Sequence, residues 1–156
     1  MSVATYSTPF GNGWIEHDAG DIVRLGLPGA ELAAPAVRVP EPIAALVIDL
    51  ELYWRGEGGL PVMPGLVERA GGTALLRDIY RTVSAIPAGS TLTYSAVAEL
   101  CGSPSRARAV GAAMARNPFA PLIPCHRVVG ADGSLRGYGG GLDMKRYLIE
   151  MEHRGG

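Results

Sequence analysis

The sequence predicts an α+β fold divided into two domains, at residues 1–70 and 71–156. The first 25 residues alternate in the manner of paired strands, whereas helical spacing of apolar residues dominates after residue 73. Between these parts, residues 56–72 contain six glycines and two prolines, a composition typical of a linker. A chain of 156 residues can bury a sizeable core as one domain or as two small ones.

The N-terminal domain is expected to contain a β-hairpin followed by one long helix. Asp and Gly at residues 18–21 supply turn geometry between two runs of strand-forming residues. Residues 28–41 are rich in Pro and Ala and predict a loop. Pro42 then suits the first turn of a helix that runs to about Arg55 with one apolar face. Within the linker, residues 60–67 predict at most a short extended piece.

Three helices are predicted next, each with its own start or stop signal. Thr73 can cap the first, which Pro87 ends. The second runs over residues 94–101 with Gly102 just beyond its end. Ser103 and Pro104 suit the start of a third helix, over residues 103–116. Two helices joined by a tight turn resemble a helix-turn-helix, whose second helix reads DNA.

The remaining C-terminal segment predicts a hairpin, a glycine-rich loop and a last helix. Residues 128–129 and 134–135 flank Gly-Ala-Asp-Gly, which is a hairpin signal. Residues 137–141 fit neither the dinucleotide-binding nor the P-loop pattern, so we interpret them as a mobile wall that carries one aromatic residue. Asp143 or a neighbour is expected to start the last helix.

Charge is distributed unevenly along the chain. Residues 1–88 carry six Arg and ten acidic residues, a net charge of −4, whereas residues 89–156 carry seven Arg, one Lys and five acidic residues, a net charge of +3. A phosphate-binding face needs clustered cations rather than a high overall isoelectric point. The second half is therefore the candidate for binding nucleic acid.

Cysteine usage indicates a reducing compartment. The chain has only Cys101 and Cys125, which suits the cytoplasm better than a disulfide framework. The start of the chain shows no basic region followed by an apolar run, so we expect no signal peptide and a cytoplasmic location. The longest aliphatic run, residues 43–48, is far too short to span a bilayer, and no membrane partner is expected.

The chemistry is expected in residues 117–130, where a thiol stands beside a histidine in a proline-rich segment. A thiol becomes a useful nucleophile as a thiolate, which a nearby base or cation favours, and Cys125 is followed by His126 and Arg127. Pro124 predicts a short stiff strand that presents Cys125 at its end. Because successive side chains of a strand point to opposite faces, His126 would take the proton through a water or a local kink.

The motif Ile-Pro-Cys-His-Arg-Val-Val-Gly at residues 123–130 resembles the active-site signature of the O6-alkylguanine-DNA alkyltransferases. The similarity covers residues 73–153 and, more loosely, the whole chain. The resemblance implies a ribonuclease-H-like N-terminal domain and a winged-helix-like helix-turn-helix domain that carries the cysteine. It also implies a monomeric DNA repair methyltransferase that binds double-stranded DNA through the minor groove and flips O6-alkylguanine out of the duplex. The alkyl group would pass irreversibly and stoichiometrically to the protein.

The same resemblance assigns catalytic roles to five residues. Cys125 would accept the alkyl group, His126 would act as the base through water, and Glu152 would orient His126. Asn117 would brace the loop at the end of the recognition helix. Tyr94 would donate a hydrogen bond to the departing guanine, which stabilises its developing negative charge.

Further residues are implied in DNA and substrate binding. Arg108 would replace the flipped base in the stack, which would explain its rotation of about 200° from Arg106 around the helix. Arg106 is also predicted to bind DNA. The residues implied in the lesion pocket are Met114, Val128, Tyr138 and Gly139. Some relatives have Ser at the position of Gly139 and Pro at that of Ala120, so the hydrogen bonding and width of the alkyl pocket stay open. Some relatives bind a structural zinc through N-terminal Cys and His. This chain has no Cys before Cys101 and only His17, so we expect no such zinc, and no cofactor is expected.

Three other functions are consistent with parts of the pattern. A Cys-His hydrolase would need an oxyanion hole, of which the sequence gives no independent sign. A protein that binds the lesion without repairing it would lack the acceptor cysteine, which is present. A transcription regulator would use the helix-turn-helix alone, and the retained Cys-His site argues against binding as the only role.

Overall fold

The computed structural model describes residues 1–29 and 38–155, and it shows the mixed α+β class that the sequence predicts. The expected loop at residues 28–41 therefore falls largely outside the described residues. None of the described helices is both long and apolar enough to cross a membrane.

The chain begins with a three-stranded antiparallel sheet. Its strands are Ser2–Thr8 (β1), Gly11–Asp18 (β2) and Asp21–Gly26 (β3), with β2 in the centre. The predicted hairpin is confirmed, and its two turn residues Ala19 and Gly20 both have positive φ, 50° and 89°. This is the geometry whose twist matches that of the paired strands. The sequence showed β1 only as a weak alternation, yet it pairs along its whole length with β2.

One long helix covers this sheet. Helix α1, Glu41–Trp54, has Pro42 in its first turn as predicted, and it packs against β1. Its buried face consists of Ile43, Leu46, Leu50, Tyr53 and Trp54. Tyr53 and Trp54 put two aromatic side chains at the end of the helix that faces the C-terminal half.

The glycine-rich segment contains a helical turn instead of the expected extended piece. Helix α2, Leu66–Ala70, begins after Gly65, whose φ of 80° is accessible to glycine at little cost. The extended prediction for residues 60–67 is thus wrong over the last two of them. Leu66 is buried and anchors this turn to the hydrophobic core.

Three capped helices follow, as the sequence predicts. They are Ala74–Ser84 (α3), Tyr94–Leu100 (α4) and Ala107–Ala115 (α5). Thr73 and Thr93 each accept a hydrogen bond from the backbone at the third residue beyond them, with N to Oγ1 distances of 3.2 and 3.0 Å. The last of these helices starts with a 3₁₀ turn over residues 104–106, after the Ser103 cap. Helices α4 and α5 pack against each other.

The sequence predicts a hairpin in which residues 134–135 pair with residues 128–129, and this pairing is wrong. Strand β5, Val128–Val129, pairs in parallel with β4, Leu92–Thr93, which lies directly before α4. The turn itself is present, because the amide of Gly130 donates to the carbonyl of Ser134 at 2.9 Å. Among the described residues, 134–135 form no strand. Strand β5 is thereby fixed to the start of α4.

The chain ends in helix α6, Leu142–Gly155, which begins one residue before the predicted Asp143. Its buried residues include Lys145 and Glu152, two charged side chains inside the protein. The hydrophobic core draws residues from both halves of the chain. The amide of Leu25 in β3 also donates to the carbonyl of Pro118 at 2.8 Å. The N-terminal sheet therefore contacts the segment that leads to Cys125.

Candidate active site

The segment before Cys125 is held by the side chain of Asn117, which follows α5. Its amide nitrogen Nδ2 donates to the carbonyl of Ile123 at 2.7 Å, and its oxygen Oδ1 accepts from the amide of Phe119 at 3.0 Å. One side chain thus satisfies two backbone groups across a loop whose residues 119–130 are all buried. Asn117 thereby connects the end of α5 to the segment that leads to Cys125.

Cys125 lies in a tight turn and not at the end of the expected strand. Pro124 has φ −81° and ψ 66°, and the amide of Cys125 donates to the carbonyl of Ile123 at 2.8 Å. These values describe an inverse γ-turn, which reverses the local chain direction. A 3₁₀ turn over Cys125–Arg127 follows, in which successive side chains are about 120° apart. Cys125, His126 and Arg127 therefore face three different surroundings.

Cys125 lines a cavity of about 370 Å³ between α5, the start of α4 and the glycine-rich loop. Its other lining residues are Tyr94, Gly111, Met114, Ala115, Gly137, Tyr138 and Gly139. Four of these eight positions are Gly or Ala, so the backbone itself forms much of the wall. Of the residues implied in the lesion pocket, Met114, Tyr138 and Gly139 are brought to the thiol. Val128 is instead fully buried in β5, where it pairs with Leu92.

Burial affects the Cys125 thiol more than the nearby polar groups do, so its pKa lies above the usual value for a cysteine. Burial raises the pKa of Cys125, while the Asn117 amide and the positive charge of Lys145 lower it. Lys145 is fully buried, and its Nζ donates to the carbonyl of Arg136 at 3.3 Å and lies 5.9 Å from the centre of the Tyr94 ring. The cation that stabilises a thiolate is therefore Lys145. The sequence suggested Arg127, which points elsewhere.

His126 is fully buried and is held by a carboxylate from α6. Its Nε2 lies 2.9 Å from Oε2 of Glu152. Because a carboxylate can only accept, Nε2 carries the proton and Nδ1 is left with a free lone pair. Among the described residues Nδ1 has no hydrogen-bond partner. Burial lowers the pKa of His126, against the opposing effect of Glu152, so the ring is a neutral base with one free acceptor.

Glu152 is the centre of a buried group of donors. Arg127 binds it with two hydrogen bonds, Nε to Oε1 at 2.9 Å and Nη2 to Oε2 at 2.6 Å. Tyr53 donates its hydroxyl to Oε2 at 2.6 Å. Burial raises the pKa of Glu152, but the hydrogen bonds from Arg127, His126 and Tyr53 outweigh it and bring the pKa to about 2. Glu152 is therefore a fixed negative charge beside His126 at neutral pH.

Sequence reasoning missed two members of this site, Tyr53 and Lys145, and it did not pair Arg127 with Glu152. Tyr53 is 99 residues away from Glu152 in the sequence. Its position among the apolar residues of α1 predicts only a core side chain. Lys145 and Glu152 lie seven residues apart on α6, which places them on the same face two turns apart. That spacing of two charged residues on the buried face of a helix is the signal that could have identified Lys145.

One of the two arginines predicted to bind DNA, Arg108, lies at a second concavity of about 460 Å³, which shares Tyr94 and Gly111 with the first. Arg108 and Arg136 line it, and Arg108 is exposed. Arg106 is also exposed, but its Nη1 donates to the carbonyl of Cys101 at 2.6 Å, at the end of α4. The structure therefore groups Arg108 with Tyr94 and places Arg106 on the turn between α4 and α5.

Tyr94 and Tyr138 form two aromatic walls of the cavity. Burial and the nearby Cys125 thiolate raise the pKa of Tyr94, so its hydroxyl remains protonated and can donate a hydrogen bond at neutral pH. The Tyr138 hydroxyl is buried and has no hydrogen-bond partner among the described residues. Together with the thiol, these hydroxyls provide a nucleophile and proton donors around one small cavity, and the neutral His126 lies buried behind it with its ring edge-on to Tyr138.

Comparison with known proteins identifies relatives whose names match the family that the sequence motif resembles. Residues 74–154 match the family model described as 6-O-methylguanine DNA methyltransferase, DNA binding domain. The methylated-DNA–protein-cysteine methyltransferase of Mycolicibacterium paratuberculosis is 49% identical over 83 residues, 53% of this chain and 50% of the relative. The Shigella flexneri protein of the same name is 41% identical over 95 residues, 61% of this chain and 56% of the relative. The matched segments thus span about half the length of these relatives.

Solved structures match almost the whole chain. The crystal structure of Mycobacterium tuberculosis O6-methylguanine methyltransferase has a TM-score of 0.78 at 30% identity, covering 99% of this chain and 94% of that one. The Mycobacterium tuberculosis protein in complex with DNA has a TM-score of 0.77 at 31% identity, with the same coverage. The similarity therefore includes the N-terminal sheet as well as the helical half.

Proposed function

The chain belongs to the 6-O-methylguanine DNA methyltransferase family, and from this premise we propose that it repairs O6-alkylguanine in DNA by transferring the alkyl group to Cys125. The observation that carries the proposal is the cavity in which Cys125 meets Tyr94 and Tyr138, next to His126 paired with Glu152. The activity is that of a methylated-DNA–[protein]-cysteine methyltransferase, in which each protein molecule accepts one alkyl group.

The transfer requires one bond to form and one to break at the alkyl carbon. The proton of Cys125 passes through a water to the free Nδ1 of His126, and Glu152 stabilises the resulting imidazolium. The sulfur attacks the alkyl carbon, and the bond between that carbon and O6 of guanine breaks. The guanine leaves with the electron pair, and Tyr94 donates a hydrogen bond or its proton to it. The protein retains a thioether.

DNA binding is assigned to the helix-turn-helix formed by α4 and α5. We infer that residues 71–156 form a winged-helix-like domain and residues 1–70 a separate ribonuclease-H-like domain, and that the protein acts as a monomer. The target base cannot meet a buried sulfur while it is stacked, so it must rotate out of the duplex. Arg108 lies beside Tyr94 at the second concavity, where it can fill the vacated place from the minor groove. Arg106 would contact the phosphate backbone of the DNA.

A titration of methylated duplex against the protein tests this function. A thioether has no good leaving group, and no second nucleophile is proposed to remove the alkyl group. We therefore expect demethylated product to reach a plateau at one equivalent of protein, with a mass gain of one methyl group on the peptide that contains Cys125. Release beyond several equivalents would show a true catalyst. Product without a mass gain would favour a hydrolase, and no product would favour binding alone.

Replacing Arg108 by Ala is expected to slow repair of duplex DNA much more than reaction with free O6-alkylguanine base. Extrusion of a base costs a few kcal/mol, which the arginine offsets by filling the stack, whereas a free base needs no extrusion. We expect a loss of about tenfold to a hundredfold on duplex DNA, equivalent to roughly 1.4–2.8 kcal/mol. Rates of alkyl transfer to both substrates provide the measurement.

The matched control is Arg77→Ala, an exposed arginine on α3. It removes the same charge and should change neither rate by more than about twofold at moderate salt. Equal losses on duplex and free base in the Arg108 variant would exclude the extrusion role.

A further inference from the structure

The hydroxyl of Tyr53 joins the N-terminal helix to the buried His126–Glu152 pair. Tyr53 lies in the last turns of α1 and is 2% exposed. Its hydroxyl oxygen is 2.6 Å from Oε2 of Glu152 and 3.4 Å from Nε2 of His126. The residue therefore contacts both members of the pair on which proton transfer depends, although it belongs to a part of the chain with no catalytic residue of its own.

The direction of the hydrogen bond follows from the chemistry of the three groups. Glu152 is a carboxylate and only accepts, so the Tyr53 hydroxyl must donate to it. Burial, and then the nearby charge of Glu152, raise the pKa of Tyr53, which keeps its proton throughout the working pH range. Oε2 of Glu152 thus accepts from Tyr53, from Arg127 and from His126 at the same time.

We propose that Tyr53 is a positioning residue that lowers the basicity of His126 by competing for Oε2 of Glu152. Each donor on that oxygen draws negative charge from it, and the bond to the imidazole N–H becomes weaker. The imidazole then stays neutral to lower pH and can accept the proton of Cys125. The contribution of Tyr53 to catalysis rests on the proposed alkyl transfer, but its effect on the basicity of His126 does not depend on that activity.

Other charged and titratable groups also face His126. Arg127 follows it in the turn, and Lys145 contributes a second positive charge from α6; both lower its pKa. The ring of Tyr138 lies edge-on with its centre 6.4 Å from that of the imidazole. Cys125 precedes it in the chain. None of these groups is changed when the Tyr53 hydroxyl is removed, so a change in the basicity of His126 can be attributed to that hydroxyl.

The test is Tyr53→Phe, which removes one oxygen atom and keeps the ring in the core. His126 must be neutral to accept a proton, so transfer is lost as pH falls through its pKa. When the competing donor is absent, that pKa rises, and the acid limb of the pH–rate profile should move up by about half to one unit. Below the midpoint, transfer should be about threefold to tenfold slower. A uniform loss of rate with an unmoved midpoint would indicate a merely structural role and overturn the inference.

Tyr147→Phe is the matched control. The Tyr147 hydroxyl donates to the carbonyl of Trp54 at 2.5 Å, so it links the same two helices, α1 and α6, without contacting Glu152. This variant should leave the midpoint unchanged. If both variants moved the midpoint equally, the contact between the helices, and not the hydroxyl on Glu152, would be responsible.

A titration of the His126 imidazole by NMR separates this inference from the proposed function. The pKa of His126 should be higher in Tyr53→Phe than in the unaltered protein, whether or not the protein transfers alkyl groups. An unaltered protein that fails to demethylate DNA, together with a raised imidazole pKa in the variant, would overturn the function and keep the hydrogen-bond effect. Equal imidazole pKa values in the two proteins would refute the role of Tyr53.

Discussion

Substitution of Cys125 by serine is expected to abolish alkyl transfer and to leave DNA binding intact. A serine hydroxyl is a far weaker nucleophile than a thiol at neutral pH, and His126 cannot activate it enough to compensate. Serine has nearly the same shape, so the cavity and the turn at Pro124 should be preserved. We expect demethylated product to fall below detection in an assay with excess protein. Binding of methylated duplex should stay within about twofold, because Arg108, the arginine proposed to bind DNA, lies outside the cavity that Cys125 lines.

The matched control for this prediction is Cys101→Ser. Cys101 directly follows α4, its sulfur lies 3.4 Å from Oγ1 of Thr82, and it does not line the Cys125 cavity. Its replacement should leave the yield of demethylated product at one equivalent per protein. Persistent transfer in the Cys125 variant, or loss of transfer in the Cys101 variant, would show that Cys125 is not the acceptor.

Helix boundaries could be predicted from the sequence because their causes are local. Thr73 and Thr93 satisfy amide groups only three residues away, and Pro42 fits the first turn of α1 without any tertiary contact. The turn at Ala19 and Gly20 is equally local. Such signals depend on side chains within one turn of the backbone they stabilise, so a single sequence contains all the information that they need.

Strand pairing was less predictable because its cause is not local. Residues 128–129 look like half of a hairpin, since a Gly-Ala-Asp-Gly turn follows them directly. In the structure β5 instead pairs in parallel with β4, whose residues precede it by 36 positions. The inverse γ-turn at Pro124 redirects the chain toward β4, and no periodic pattern in a short segment reports that change.

The residues of the candidate site also divide into those that a local pattern predicts and those whose contacts are distant in the sequence. The Cys-His motif and Asn117 lie within one short segment, and Glu152 could be assigned only through the family resemblance. Tyr53 and Lys145 could not be assigned, because their contacts arise when α1 and α6 pack around the turn that carries His126. Arg127 was expected to act on the thiol on account of its neighbouring position. The 3₁₀ geometry turns it away, toward Glu152.

Replacement of Arg127 by methionine is expected to destabilise the protein by about 3–5 kcal/mol. Arg127 is 6% exposed, and its two hydrogen bonds to Glu152 hold that carboxylate ionised inside the protein. Its Nη1 also donates to the carbonyl of Ile86 at 2.7 Å. Methionine fills a similar volume but leaves Glu152 as a buried negative charge without its cation. The free energy of unfolding from urea titration provides the measurement.

Two further variants identify the cause of that loss. Arg81→Met removes an exposed arginine whose bonds to Asp78 and Glu68 face solvent, and it should cost less than about 1 kcal/mol. In the double variant Arg127→Met with Glu152→Gln, no carboxylate remains uncompensated, so a substantial part of the stability should return. If the double variant were as unstable as Arg127→Met alone, lost packing and the bond to Ile86 would explain the effect. The buried charge of Glu152 would then contribute little to the instability.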